Sequence, residues 1–231
     1  MRRTLWIAVP LLLIAGLGAV AGGVYWMGTR PPEFYAKALR TTAEEPVRRA
    51  DSKRFVQSVV RLVEEIRHES RWSAEFPVET VNAWLADELP RKYAGWIPKR
   101  VENPRIGIDG DRLLVGARLT GGVWSGVLSG RVRPWLAGPN QLALEIESIS
   151  AGLLPVPVDS LLEEVVNKAR KQDWDIRWKQ VAGHDVLMID LAPHIGRDLI
   201  VSEVGLVDGK LILSGHREQL ATLEDAGSRP R

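Results

Sequence analysis

Residues 105–147, RIGIDGDRLLVGARLTGGVWSGVLSGRVRPWLAGPNQLALEIE, decide the fold of this chain. Apolar and polar residues alternate along the stretch with a period of two, which is typical of strands that bury one face. Turn residues interrupt the alternation at Gly110-Asp111, Gly121-Gly122 and Pro139-Asn140. Successive strands joined by short turns predict an antiparallel meander that is covered on one side.

Helical spacing precedes the meander. Apolar residues three and four apart predict a short helix over Glu33–Arg40, a longer one capped at Asp51 or Ser52 and ending near Ser70, and a third over Glu79–Leu89. The last two helices each carry one apolar stripe, so we expect them to cover the apolar face of the sheet.

Further elements are predicted on either side. Before the third helix, Trp72–Pro77 is predicted to be a break, and after the meander the prolines of Ser150–Pro157 exclude regular helix and central strand. The remaining predicted elements are a helix over Val158–Lys171, strands over Trp174–Gln180 and Asp185–Leu191, and a hairpin of Leu199–Val207 with Lys210–Ser214.

An uncharged stretch of 23 residues, Leu5–Met27, predicts a membrane anchor. As a helix with a rise of about 1.5 Å per residue it would reach about 34 Å, enough to cross a hydrocarbon core of about 30 Å. Arg2 and Arg3 precede it and only Arg30 closely follows, so the positive-inside rule predicts a cytoplasmic N-terminus and an extracytoplasmic main domain. A cleaved signal peptide is the alternative, because Ala19-Val20-Ala21 fits a small-x-small cleavage pattern.

Composition narrows the function classes. The chain has 31 Lys and Arg against 29 Asp and Glu, and Arg2 and Arg3 are the only charges before Arg30. The chain from Arg30 onward is therefore charge-balanced, and this balance predicts no nucleic-acid partner. No cysteine is present, which excludes disulfides and thiolate chemistry. We expect an anchor over 1–30, juxtamembrane helices over 31–75, an α+β extracytoplasmic domain over 76–216 and a polar tail over 217–231.

No pattern of chemistry-bearing residues indicates catalysis. The four histidines, His68, His184, His194 and His216, do not fall in metal-ligand spacing, so no metal and no cofactor are expected. Ser125 lies in an alternating strand rather than at the strand-to-helix turn that a nucleophilic serine needs. We expect no catalytic residue.

Charged residues on the polar side of the meander have a simpler interpretation. Glu145 and Glu147 face Arg131 and Arg133 in the alternating pattern. Cross-strand pairs of opposite charge on a solvated face contribute roughly 0.2–1 kcal/mol each and explain all four residues.

The apolar side of the meander is the candidate functional surface. Close packing favours a filled core beneath it, whereas a gap would leave a long apolar groove for lipid. The groove candidates on the third helix and the strands are Trp84, Leu85, Leu113, Val115, Leu119, Trp124, Leu128, Leu144 and Ile146.

Three segments carry a family resemblance: VNAWL (Val81–Leu85), NPRIGIDGDRLLV (Asn103–Val115) and AGLLPVP (Ala151–Pro157). In their order after an N-terminal apolar segment they resemble the YpmS-like family of single-pass bacterial envelope proteins and, more loosely, TULIP-like (tubular lipid-binding) proteins. The resemblance implies a curved antiparallel sheet wrapped on a long helix and, for TULIP-like members, a capacity to hold lipid. It implies no catalytic residue.

The expected fold class is therefore α+β, with an N-terminal transmembrane helix followed by a curved antiparallel sheet packed on long helices. The leading functional hypothesis is a membrane-anchored, non-enzymatic envelope protein that binds membrane lipid or another hydrophobic ligand in an apolar groove. The alternative is a structural or assembly factor with a filled core that contacts other envelope proteins. A hydrolase is a remote third hypothesis.

Overall fold

A computed structural model describes residues 26–121, 125–156, 176–181, 183–196 and 198–218. Its strands form two antiparallel sheets around a small group of helices. The helices are α1 (Glu33–Thr41), α2 (Glu45–His68), α3 (Val78–Lys92) and α4 (Ala192–Ile195), and the strands are β1 (Arg71–Pro77), β2 (Val101–Asp109), β3 (Arg112–Leu119), β4 (Gly126–Gly138), β5 (Gln141–Ala151), β6 (Leu154–Val156), β7 (Ile176–Val181), β8 (His184–Asp190), β9 (Leu199–Val207) and β10 (Lys210–Arg217).

The larger sheet contains the predicted meander. Its strands follow the order β2-β3-β4-β5-β8-β7, and the short β6 pairs with β5 beside this path. Gly110 and Asn140 adopt positive φ values of 61° and 57° in the turns that close the β2–β3 and β4–β5 hairpins. These turns lie where the sequence predicts them, because glycine and asparagine tolerate the left-handed region.

The smaller sheet has the order β1-β10-β9, so its strands come from both ends of the described chain. The β9–β10 hairpin is predicted, but β1 occupies Trp72–Pro77, which the sequence predicts to be a break. Trp72 and Phe76 are buried on one side of β1. The strand forms because β10 supplies its antiparallel partner, from Arg71 opposite His216 to Pro77 opposite Lys210, and a long-range pairing leaves little trace in local sequence.

The helices differ from the prediction in length. α2 begins at Glu45, earlier than the predicted cap at Asp51 or Ser52, because Pro46 lies in its first turn, where a missing N–H does no harm. The helix predicted over Val158–Lys171 lies outside the described residues.

The predicted fold class is wrong in its packing. The strands make two sheets rather than one, and the 24-residue α2 packs chiefly on α3 and β1 instead of lying across the large sheet. Described helices contact the large sheet mainly at its edge strand β2. α2 packs on the small sheet because its inner face meets the aromatic side of β1, where the rings of Phe55 and Phe76 lie 5.5 Å apart.

The predicted transmembrane helix and single-pass localisation also need correction. The anchor predicted over Leu5–Met27 lies outside the described residues, except for Trp26 and Met27. Within the described ranges, no helix is long and apolar enough to cross a bilayer. α2 has the length but carries charged residues throughout, so its composition is that of a water-exposed surface helix.

Two buried asparagines join the layers. Asn82 of α3 donates from Nδ2 to the Ile106 carbonyl oxygen and accepts from the Ile106 N–H, both at 2.8 Å. Asn140 does the same at β9, with Nδ2 2.6 Å from the Leu199 carbonyl oxygen and Oδ1 2.7 Å from the Val201 nitrogen. Each amide imitates a neighbouring strand, so an unpaired sheet edge is satisfied where the layers meet.

Candidate functional site

The register of the large sheet separates its side chains into an apolar face and a charged face. In an antiparallel sheet, directly opposed residues point to the same side and successive residues alternate. The residues on the apolar face include Ile106, Ile108, Leu113, Val115, Leu119, Leu128, Val132, Leu142, Leu144, Ile146, Ile149, Ile176, Trp178, Leu187 and Ile189.

Most of the apolar face remains partly accessible to solvent. Ile176 and Leu187 are buried at its centre, with Leu144, Trp178 and Ile189 packed around them. The other residues of the face are half-buried. Since the described helices meet this sheet mainly at its edge strand, the described part of the chain leaves a broad apolar surface that is only partly covered.

The predicted groove residues divide into two groups. The register brings Leu113, Val115, Leu119, Leu128, Leu144 and Ile146 together on the apolar face. Trp84 lies elsewhere, because its ring packs 5.5 Å from that of Phe55 and 5.8 Å from that of Tyr93, between the helices and the small sheet. Leu85 is half-buried on α3, one position after Trp84, and Trp124 lies outside the described residues.

The charged face carries a series of cross-strand ion pairs. Arg133 contacts Glu145 as the sequence predicts, with Nη2 2.9 Å from Oε2. Glu147 faces a different arginine from the two that the pattern indicates: Arg112 Nε lies 2.8 and 2.9 Å from its two carboxylate oxygens. A bulge in the β4–β5 pairing between Arg131 and Val132 shifts the register, and the alternating pattern alone cannot reveal such a shift.

A cavity of about 640 Å³ opens on this charged face beside Glu145. Glu145 is 6% exposed and contacts Arg133 on one side and His184 on the other, with His184 Nδ1 3.1 Å from Glu145 Oε1. Sequence reasoning missed His184, because only the turn at Gly183 brings it next to β5. Trp135 and Val186 add apolar lining.

The chemistry of this cavity is incomplete for a hydrolase. A histidine held by a carboxylate can act as a general base toward a nucleophile or water. No serine lines the cavity within the described ranges, and no group of three potential metal ligands occurs there or elsewhere in the described part of the chain. Glu145, Arg133 and His184 satisfy one another, so the cluster is explained as a stabilising network on a solvated face.

Comparisons with protein families, curated proteins and solved structures found no match to this chain. The resemblance to YpmS-like and TULIP-like proteins therefore stays a prediction from short sequence segments. Function has to be argued from the two faces of the large sheet and from the helices beside it.

Proposed function

We propose that this protein is a non-enzymatic binding protein that holds an apolar ligand, the acyl chain of a lipid, on the apolar face of its large sheet. The observation that carries the proposal is the extent of this face. Apolar side chains from six neighbouring strands form one surface, and most of them retain solvent contact in the described part of the chain.

The size and composition of the face favour an acyl chain. Neighbouring strands are about 4.8 Å apart, so the six strands from β2 to β7 extend over about 24 Å. Asp185 is the one charged residue that the register puts on this side among the described residues. A surface of this extent with so few polar groups suits an elongated apolar ligand, because continuous apolar contact is what such a ligand offers.

Paired aspartate substitutions test the proposal on the full-length chain. Leu128→Asp places a charge on the apolar face, whereas Ser129→Asp places the same charge on the opposite side of the same strand. With a fluorescent long-chain fatty acid as the probe, we expect Leu128→Asp to weaken binding about tenfold or more and Ser129→Asp to leave it unchanged. The matched pair is needed because the apolar stretch Leu5–Met27 can itself attract an acyl chain.

A second measurement avoids dependence on one variant. Trp178 lies on the apolar face, so a brominated fatty acid bound there should quench its fluorescence, and Trp178→Phe should remove part of the quenching. Thermal unfolding midpoints establish that each variant is folded. The proposal fails if the wild type binds no acyl probe, or if folded Leu128→Asp binds it as tightly as the wild type does.

A row of exposed valines on α2 favours a second candidate function, assembly through contact with another copy of the chain. Val56, Val60 and Val63 are 39%, 55% and 38% exposed and share one side of the helix. Because the chain has no cysteine, Val60→Cys gives a single thiol. Disulfide dimers of Val60→Cys, absent from Arg61→Cys, would support this function, and equal dimerisation of the two variants would contradict it.

A further inference from the structure

The apolar face of the large sheet has one polar corner, near the turn that joins β7 and β8. Asp185 lies opposite Gln180 there, and the next pair on the same side of the sheet is Leu187 with Trp178. Asp185 is half-buried, whereas Gln180 is exposed. Because no other charged residue among those described falls on this face, the surface that we propose to hold an acyl chain ends in a single carboxylate.

The Asp185 carboxylate has no partner within the described ranges. None of the hydrogen bonds and ion pairs there includes its side chain. The neighbouring His184 is on the opposite, charged face, where its Nδ1 lies 3.1 Å from Glu145 Oε1. A half-buried carboxylate beside apolar side chains loses part of its hydration, and a charge-assisted hydrogen bond from a ligand would compensate for that loss.

Trp178 adds an attraction for positive charge at the same corner. It is the diagonal neighbour of Asp185 across the β7–β8 pairing, and such neighbours lie about 7–8 Å apart, within reach of a large aromatic ring. The negative face of an indole attracts ammonium groups, so the carboxylate and the ring favour the same ligand charge. A ligand carboxylate would instead meet Asp185 with like charge.

We infer that the ligand of the apolar face is an amphiphile with a positively charged ammonium head, which lies beside Asp185 while its alkyl chain extends across the strands toward β2. This inference rests on the proposed function, for which it names the chemical class of the ligand. Four strand spacings separate β8 from β2, and at about 4.8 Å each they give about 19 Å of apolar surface for the chain. The amide oxygen of Gln180 offers the head a further acceptor.

Three probes with the same alkyl chain and different heads test the inference on the full-length protein. Tetradecylamine, tetradecanol and tetradecanoic acid compete with a fluorescent fatty acid at neutral pH, where an alkylamine is protonated as a lysine side chain is. We expect the amine to bind about tenfold more tightly than the alcohol, and the acid to bind most weakly. The formal net charge of the chain is +2, which by itself would attract the acid, so a preference for the amine has to come from local charge.

Substitutions at Asp185 show whether its carboxylate is the source of that preference. Asp185→Asn keeps the shape and removes the charge, so the affinity for the amine should fall about tenfold, to that for the alcohol, which should change less than about twofold. Asp208→Asn is the matched control, because it removes the same charge from an exposed turn of the small sheet, and it should keep the preference. Asp185→Lys should reverse the order, so that the acid binds more tightly than the amine.

The outcomes separate this inference from the proposed function. Thermal unfolding midpoints establish that each variant is folded. The inference is overturned if the wild type binds the amine no more tightly than the alcohol, or if folded Asp185→Asn keeps the preference for the amine. Equal binding of all three probes would contradict the ammonium head and leave the acyl-chain function standing, whereas binding of none would contradict the acyl-chain function itself.

Discussion

At the scale of single residues, Asn140 joins the two sheets. It is 5% exposed, has a φ of 57°, and bonds the Leu199 carbonyl and the Val201 N–H through its side-chain amide. Asn140→Gly keeps the backbone conformation accessible but leaves both partners buried and unsatisfied. We expect it to lower the free energy of unfolding by about 2–4 kcal/mol in a urea titration.

The matched control for this prediction is Asp208→Gly. Asp208 has a φ of 49° in the β9–β10 turn and no described side-chain hydrogen bond across the sheets. Asp208→Gly therefore reports the backbone effect alone, which we expect to stay within about 0.5 kcal/mol. Equal effects of the two substitutions would show that the Asn140 amide does not hold the sheets together.

Tyr35 makes a second residue-scale prediction, on pH dependence. Its side chain is 2% exposed and its hydroxyl donates to the Asn103 carbonyl oxygen at 2.9 Å. Burial raises the pKa of Tyr35 above its ordinary value, despite the opposing charges of Arg105 and Arg118. Because the unfolded state ionises first, near pH 10, the stability from neutral Tyr35 is complete below that pH and is lost as pH rises toward the folded pKa.

Tyr35→Phe isolates this contribution. The wild type should be more stable than the variant by about 1 kcal/mol near pH 8 because of the Asn103 bond. Above about pH 10 that advantage should shrink, by at most about 1.4 kcal/mol per pH unit. Urea unfolding of both proteins across this range measures it, and a constant difference across the range would contradict the role of burial.

At the scale of elements, the docking of α1 depends on two glycines in the large sheet. A Cβ on Gly116 would lie 3.1 Å from both Phe34 and Tyr35, and one on Gly107 would lie 3.0 Å from Phe34. Gly116→Val should therefore displace α1, cost about 1–3 kcal/mol of unfolding free energy, and expose residues 33–44 to limited proteolysis. Phe34→Ala in the same chain should restore part of the loss by making room.

Gly130→Ala serves as the control in the neighbouring strand β4. Its added Cβ would meet Val115 at 3.5 Å, an ordinary contact, so proteolysis near α1 should not increase. If Gly116→Val and Gly130→Ala are equally tolerated, α1 is not held by close approach to the sheet.

Comparing the predicted strands with the observed ones shows which features of the fold the sequence reveals. The strands β3 and β9 appear where alternation predicts them, because the pattern of period two records which face is buried. β1 was predicted to be a break, since its partner β10 lies more than 130 residues away along the chain. The sequence does not reveal the bulge at Arg131 for a similar reason. The bulge depends on how β4 and β5 pair, and it determines which carboxylate lies next to Arg112.

The candidate site was predictable to a similar extent. The apolar strand residues Leu113 and Leu128 share a face because side-chain alternation fixes it. Trp84 was assigned to the same surface only because helix α3 was expected to cover the sheet, and it packs against Phe55 instead. Arg48 of α2 and Arg105 of β2 both donate hydrogen bonds to Thr42, just after α1, and no local sequence pattern could reveal these contacts between distant elements.

At the scale of the whole molecule, the first described strand and the last two belong to the small sheet, and the strands between them belong to the large sheet. β1 and the β9–β10 hairpin therefore enclose strands β2 to β8 in sequence, and β10 is the central strand of its sheet. Asn82 joins α3 to the edge strand β2 of the large sheet, and Asn140, in the turn between β4 and β5, joins that sheet to β9 of the small sheet. Because strands of the small sheet lie both before and after the large sheet in the sequence, no single division of the chain separates the two sheets. We therefore expect them to unfold as one cooperative unit.

Phe76→Ala tests this cooperativity from within the small sheet. Phe76 is 4% exposed and packs on Phe55, so its truncation should cost about 3–5 kcal/mol. Native-state hydrogen exchange should then show the same loss of protection in β9 and β10 as in β4 and β5. Glu75→Ala, on the exposed side of the same strand, removes an ion pair with Lys210 and should change protection by less than about 1 kcal/mol. If Phe76→Ala weakens only the small sheet, the asparagine contacts do not couple the layers, and an acyl chain on the large sheet would stabilise that sheet alone.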